Sequence, residues 1–397
     1  MTTIVFCAAV RTGFGTFGGT LKDFSATDLG VLTANAALDR SGLDRALIDH
    51  VIVGNAMQTS RDAIYCARHV ALRAGLAITT PAVTVNRLCG SGFEAVVQGA
   101  HRLLLGEATA VLAGGTESMS QAPHAVRGAR WGIKYGPSPQ LEDVLYEGLL
   151  DSHGGCSMSD TAENLARKYG ITRADCEAYA VRSQQTAAAA WADGVFADEV
   201  IPVPVRDRKS RQEIPWAADE HIRPGTTLEA LARLSPITHP AGTVTAGTAS
   251  GINDGASMLV MTTAERAKEA GVKPLGRLVG WGVAGVPPTE MGIGPAPAAR
   301  KALAHAGMTL EQMQLVEVNE AFAAQYLAVE QELGLDRSRT NVHGGAIAIG
   351  HPLAASGARI TTHLLHALRA RGGGIGLGSA CIGGGQGIAV IVEGFGN

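Results

Sequence analysis

Leu315-Val316-Glu317-Val318-Asn319-Glu320-Ala321 repeats, 265 positions on, the pattern of Val51-Ile52-Val53-Gly54-Asn55-Ala56 (316 − 51 = 265). Each is a short β-branched run breaking into small and polar residues, the signature of a strand entering a turn. Upstream, Asp28 to Arg40 and Ala298 to His305 both have helical spacing. They stop at Gly42 and Gly307, again 265 apart (307 − 42 = 265), and glycine suits the left-handed position after a helix. Ala37-Leu38 against Ala302-Leu303, and Ser91-Gly92 against Ser356-Gly357, keep the same offset. A register held across four elements predicts two halves of one topology. Strands alternating with helices predict an α/β fold whose parallel strands are covered on both faces.

Outward from the repeat, the first half carries an extra segment from about Gln121 to Ala241. It holds loops at Trp131-Gly132 and Pro137-Ser138-Pro139. A long helix then follows the capping-box tetrad Thr172-Arg173-Ala174-Asp175 and runs to about Asp193. A charged, proline-bearing stretch spans Pro202 to Pro224. The expected division is residues 1–120 with 242–268 as an N-terminal half, 121–241 as an inserted loop domain, and 269–397 as a C-terminal half. A chain of 397 residues is long enough for two or three cores.

Bulk properties exclude several classes. With 46% hydrophobic and 17% charged residues and a formal charge of −3, the chain reads as well buried, without a nucleic-acid or anionic-membrane surface. Six scattered cysteines (Cys7, Cys66, Cys89, Cys156, Cys176, Cys381) form no Cys-x-x-Cys pair. A disulfide framework or zinc site is not expected, and a reducing compartment is. Strand-like sequence begins at Thr3, no apolar run reaches membrane-spanning length, and Gly394-Phe395-Gly396-Asn397 is no peroxisomal tail. The expectation is a cytoplasmic protein.

Four polar clusters stand at predicted strand-to-turn or strand-to-helix junctions. Val83 to Val85 reads as a buried strand and Phe93 to Leu105 as a helix, with Cys89 between them. At a helix N-terminus the dipole and free amides favour the thiolate, and the same amides can hold an oxyanion. A small buried hydrophobe is the common alternative for a free cysteine. Asn319-Glu320-Ala321-Phe322 follows the strand Val316–Val318. Gly350-His351-Pro352 holds a histidine in a constrained loop. Ser379-Ala380-Cys381-Ile382-Gly383 sets a second thiol before glycines whose amides can approach a ligand.

Taken together and in order, Cys89-Gly90-Ser91, Asn319 to Phe322, Gly350 to Pro352 and Cys381-Ile382-Gly383 resemble the thiolase family. Arg11 to Gly19, Gly114 to Ser120 and Thr243 to Gly247 extend the likeness over nearly the whole chain. The resemblance implies a thiolase-like fold of two repeated α/β halves in five α-β-α-β-α layers with an inserted loop domain. It implies an acyl-CoA C-acyltransferase that cleaves 3-ketoacyl-CoA or condenses acyl-CoA with acetyl-CoA by a ping-pong route through an acyl-Cys89 intermediate. His351 would take the proton of Cys89, and Cys381 would act as acid and base on the α-carbon. His351 with a water held by Asn319 would form one oxyanion hole, the amides of Cys89 and Gly383 the other. Met158, Arg223, Ala246, Ser250, Ala321 and Phe322 would contact coenzyme A and its pantetheine. No cofactor or metal is implied beyond coenzyme A and acyl-CoA as substrates, and the family is usually a homodimer or homotetramer. The loop from Arg127 to Pro139, with Trp131 and Tyr135, is the expected tetramer contact.

Departures from the family bear on substrate. Ser157-Met158-Ser159 replaces His-Met-Gly, and Ser235-Pro236-Ile237-Thr238 lacks the aromatic residue many short-chain members have. A smaller Thr238 would enlarge the acyl pocket, so acyl groups longer or more branched than acetyl are expected. His343 stands where Asn is common and is expected to support the His351 loop; Thr248 and Ala354 are further replacements. Gly13 to Gly18 matches a dinucleotide fingerprint, but the helix is predicted only from about Thr27, which argues against NAD. A ketoacyl-synthase-type condensing enzyme would want histidine at Asn319 and lack Cys381. A non-catalytic lipid-binding or scaffold protein would carry a broken set, and this set is intact.

Overall fold

The β-branched runs of the repeat pair into one sheet system. In the computed structural model, which describes residues 2–207 and 209–396, the main strands are β1 (Ile4–Thr12), β2 (Ile48–Gly54), β3 (Ala82–Val85), β4 (Ala110–Ser118), β5 (Asn253–Thr263), β6 (Gly276–Gly285), β7 (Leu315–Val318), β8 (Gly373–Ile382) and β9 (Gln386–Phe395). Asn397, part of the C-terminal tetrapeptide read above, lies outside the described residues. Their order is β7-β8-β9-β6-β1-β5-β4-β2-β3. The first half pairs β2 with β4 in parallel, Val51 opposite Leu112; the second pairs β7 with β8 in parallel, Val316 opposite Leu377. Both pairs span the same separation (112 − 51 = 377 − 316 = 61), so the 265-residue offset is a repeat of sheet register.

The helices follow the same rule. Helix α1 (Ala26–Ser41) is capped by Ser25 and ends at left-handed Gly42. Its counterpart α6 (Pro295–Ala306), numbered after the intervening helices below, ends at left-handed Gly307. Between them in sequence lie α2 (Cys66–Arg73), α3 (Ser91–Leu104), α4 (Met158–Tyr169) and α5 (Arg173–Ala192). Beyond come α7 (Ala323–Leu333) and α8 (Leu353–Ala370). Helices α1 and α2 cover one outer face, α6 and α7 the other. Helices α3 and α8 run between the two sheet halves, α8 touching strands of both. The five expected layers are these.

Two glycines let the central helices meet. A Cβ on Gly92 would lie 2.5 Å from the Ala358 amide nitrogen, and one on Gly357 would lie 2.4 Å from that of Phe93. The contact is reciprocal: 357 − 92 and 358 − 93 are both 265. Backbone approaches backbone here, which only glycine permits. The inserted segment is bolted to β1, where Arg11 pairs with Val200 and its buried guanidinium binds Glu199 and Asp219. Thr172 and Asp175 form the expected capping box at the start of α5.

One local reading changes and one holds. β3 is not a buried strand: it is the last in the sheet order, Val83 is 38% exposed and only Val85 is buried. The β-branched run fixes the strand but not its open flank. α1 opens at Ala26, after the Gly13–Gly18 run, whose Gly15 and Thr16 pair with β5 instead of opening a helix. No helix among the described residues is long and apolar enough to cross a membrane.

Candidate active site

Cys89 sits in a tight turn, Leu88–Gly90, that leads directly into α3. Leu88 takes a positive φ of 45°, an unusual conformation for a leucine. Ser91 holds the turn: its hydroxyl donates to the Leu88 carbonyl at 2.7 Å and accepts the Arg87 N–H at 2.9 Å. A Cβ on Gly90 would meet Ile382 at 2.6 Å, so the missing side chain lets the end of β8 press against the turn. That contact brings Cys381, fully buried, into electrostatic reach of Cys89, and aims the Gly383 N–H at the Cys89 sulfur beside the N–H of Cys89 itself.

The thiol differs from the helix-dipole expectation. Burial pushes Cys89 up to about 11, against the pull of the two amides, and the Glu117 charge adds to the rise. Desolvation of the thiolate outweighs a helix terminus. Cys381 is raised further by burial and by Cys89. Both sulfurs rest as thiols.

His351 lies between Gly350 (φ 108°) and Pro352, the residue that caps α8. Its N–H donates to Asn253 Oδ1 at 3.0 Å. Ser356, one turn into α8, donates its only hydroxyl proton to the Pro352 carbonyl at 3.0 Å. The same oxygen lies 2.6 Å from His351 Nδ1 and therefore accepts from it. With the hydroxyl proton directed at the Pro352 carbonyl, the imidazole proton sits on Nδ1 and the Nε2 lone pair is free. Burial, then the nearby Arg359 cation, push the imidazole down to about 3, so it is neutral.

Asn319 follows β7 and donates its N–H to the Ser379 carbonyl at 2.9 Å. Its side-chain nitrogen is within 3.5 Å of the His351 ring, and its buried Oδ1 has no partner among the described residues. Glu320 steadies the segment by accepting from Tyr179 (2.6 Å), Ser183 (2.6 Å), Asn341 (3.0 Å) and the Ile347 N–H (3.1 Å). Glu117 does the same for the other side. It accepts from Asn55 (3.0 Å) and from the N–H groups of Ala56, Met57 and Ala354 (3.0–3.1 Å), while burial raises it to about 7.

Cys89 and His351 open into one cavity of about 250 Å³, whose wall includes Met158, Ser250, Ala321 and Phe322. Arg223 and Ala246 do not line it; they border a separate cavity of about 310 Å³ with His221 and Gly247. A further cavity of about 210 Å³ adjoins Cys89 on its Gly383-Gly384 side, walled by Leu88, Leu149, Leu150 and Leu353. Thr238 is not on the wall of the main cavity. Its hydroxyl turns to Glu163 at 2.9 Å, and the neighbouring Ile237 lines the cavity instead. Ser157 caps α4 through Asp160. His343 has no hydrogen bond to His351: its Nδ1 meets His363 Nε2 at 3.0 Å, and His363 in turn meets Glu199 at 2.9 Å. Thr248 is engaged with Thr245, and Ala354 with Glu117 and the helix contact. No group of three or more metal-ligating side chains occurs among the described residues.

Several supporting residues escape sequence reasoning. Asn253 and Glu117 reach the site across the sheet with no local signal, although Glu117 lies within the Gly114–Ser120 stretch. Ser356 stands out only as the repeat partner of Ser91.

Comparison with known proteins is consistent along the chain. Residues 4–265 match the thiolase N-terminal domain and residues 272–394 the thiolase C-terminal domain. The mitochondrial 3-ketoacyl-CoA thiolase of Bos taurus is 54% identical over 390 residues, 98% of each chain. An acetyl-CoA acetyltransferase of Cupriavidus necator is 44% identical over 99% of this chain and all of its own length. The crystal structure of human mitochondrial 3-ketoacyl-CoA thiolase in complex with CoA superposes with a TM-score of 0.96 at 53% identity, over 99% of this chain and 98% of that one. These relatives correct the cytoplasmic expectation. Proteins more than half identical to this chain are mitochondrial, so scattered cysteines and a strand-like start do not assign a cytoplasmic home.

Proposed function

The chain belongs to the thiolase family and is an acyltransferase performing the thiolase reaction, and on that premise we propose how its residues divide the work. Cys89 is the nucleophile. His351 Nε2 takes its proton as sulfur attacks the 3-keto carbonyl, and the tetrahedral oxyanion sits against the N–H groups of Cys89 and Gly383. The bond between the α- and β-carbons breaks, leaving the acyl group on Cys89 and an acetyl-CoA enolate. That enolate is held by His351 and a water on Asn319 and takes its proton from Cys381. Coenzyme A then gives its thiol proton to the Cys381 thiolate, restoring it, and attacks the acyl-Cys89 carbonyl; the departing Cys89 sulfur takes its proton back from His351, and acyl-CoA is released. Condensation runs the same steps backwards. The observation that carries this reading is the single cavity shared by Cys89 and His351, with the Cys89 and Gly383 amides aimed at sulfur and Nδ1 of His351 committed to Ser356.

Met158, Ser250, Ala321 and Phe322 are proposed to hold the pantetheine arm, with Arg223 and Ala246 further out along coenzyme A; the CoA complex of the human relative supports coenzyme A binding. The acyl chain is proposed to exceed acetyl in length. The leucine-walled cavity beside Gly383 and the greater identity to 3-ketoacyl-CoA thiolases than to acetyl-CoA acetyltransferases both favour this. Assembly as a homodimer or homotetramer is part of the proposal. Trp131 and Tyr135, 85% and 109% exposed, stand on the loop suited to a tetramer contact.

CoA-dependent cleavage of acetoacetyl-CoA and 3-ketohexanoyl-CoA, followed at the enolate absorbance, tests the reading. A higher kcat/KM for the six-carbon substrate is expected, with both activities lost in Cys89→Ala. A strong acetoacetyl preference would overturn the chain-length proposal, and activity surviving in Cys89→Ala would overturn the mechanism.

A further inference from the structure

Arg11 and Arg359 are the largest fully buried side chains among the described residues, and they are treated very differently. The Arg11 guanidinium makes contacts of 2.7, 2.7 and 2.9 Å to Glu199 and Asp219. Among the described residues Arg359 makes one hydrogen-bonded contact, 3.3 Å from Nη1 to Glu317 Oε2, and its buried Nε finds no partner. A buried charge so loosely paired is unfavourable, and a group of this kind needs a reason to be there.

Its position supplies one. Glu317 lies on β7, two residues before Asn319. Arg359 lies on α8, about two turns beyond the Pro352 cap and His351. The pair thus spans the strand and helix whose ends carry Asn319 and His351, 3.4–3.5 Å apart. Arg359 also acts on His351 by charge. Around the pair stand Arg11 of β1, Glu199 of the inserted segment, Glu320 after β7 and His363 on the next turn of α8. The other ionisable groups near His351 are Cys89, which shares its cavity, and Cys381, which is coupled to Cys89. Glu117 and Asp254 lie behind the loops that flank them.

We propose that Arg359 and Glu317 form a positioning pair for acyl transfer, tying the strand that ends in Asn319 to the helix that begins after His351. The proposal rests on His351 being the proton acceptor of Cys89. A neutral imidazole keeps its lone pair until substrate arrives, and Cys89 stays a thiol between turnovers. Glu317 keeps the cation from acting with its full field.

Alkylation of Cys89 by iodoacetamide near neutral pH, measured beside steady-state cleavage, tests the pair in the intact enzyme. Arg359→Met removes the cation that opposes imidazolium formation and is expected to speed alkylation about threefold or more. Glu317→Gln leaves the cation unscreened and is expected to slow it by about as much. In both, kcat falls roughly tenfold while KM for coenzyme A stays within about twofold. A merely structural role would move alkylation the same way in both variants, and that result, or no change in either, overturns the proposal. Should a single variant fail to fold, Arg359→Met with Glu317→Gln decides, since it leaves neither charge unpaired. Reduced kcat in the folded double variant supports the clamp; wild-type kcat overturns it. His351→Ala runs alongside. Turnover retained there would sink the catalytic reading itself, whereas an inactive His351→Ala with unaffected pair variants overturns only this inference.

Discussion

The two halves of the molecule place the same residue at the same turn and use it differently. Ser91 and Ser356 stand 265 apart at the starts of the two central helices, and each hydroxyl donates to a carbonyl of the preceding turn. In the first half the oxygen then accepts a backbone amide, Arg87 N–H, and so shapes the turn that presents Cys89. In the second it accepts His351 Nδ1 and so sets the tautomer of a ring. Asn55 and Glu320, also 265 apart, diverge likewise: the amide donates to Glu117, and the carboxylate gathers four donors. The scaffold is duplicated and the chemistry is not. What the halves share is close backbone approach; what separates them is which polar group fills an equivalent socket.

If the helix contact is truly reciprocal, its two glycines are equivalent. Gly92→Ala and Gly357→Ala should each destabilise the fold by roughly 3 kcal/mol or more, because each methyl would meet backbone nitrogen at 2.4–2.5 Å. Thermal unfolding of the two variants checks this, and a large effect at one site alone would break the symmetry. The serine pair should split instead. Ser356→Ala should lower kcat about tenfold, by freeing the His351 tautomer, with little change in melting temperature. Ser91→Ala should cost about 1–2 kcal/mol of stability and leave kcat within a few-fold. Matching phenotypes would deny the divergence.

The smallest effect expected is an absence of change with pH. With His351 lowered to about 3 and Cys89 raised to about 11, neither changes charge in the free enzyme between pH 5 and 8. Because kcat/KM reports the free enzyme, it should show no acid limb from His351 above about pH 5. Glu117, raised to about 7, is the group able to titrate there, so a bell centred near 7 that persists in Glu117→Gln would mean the resting pair is already ionised.

Much of this architecture is legible in the chain because it is local or periodic. Gly42, Gly307 and the Thr172–Asp175 box mark helix ends by short-range hydrogen bonding, and the repeat offset carries the sheet register. The four motifs at strand ends are brought together in space around Cys89 and His351. What is not legible depends on distant packing. The open flank of β3 follows from strand order, which no residue of Ala82–Val85 encodes. The Cys89 shift follows from burial by β8 and the loops, which outweighs the helix terminus visible in sequence. Thr238 points to Glu163 because α4 lies beside it, so the smaller side chain does not itself enlarge the main cavity. Arg223 and Ala246 border a separate cavity with His221 and Gly247, a grouping no local pattern of the chain announces.

The central claim is that the first half provides the nucleophile and the second the proton chemistry. Mass spectrometry of peptides from enzyme quenched during turnover with 3-ketohexanoyl-CoA, before coenzyme A is added, tests it most directly. The account predicts a butanoyl adduct on the peptide containing Cys89, absent in Cys89→Ala. An adduct on Cys381, or its persistence elsewhere in Cys89→Ala, would contradict it.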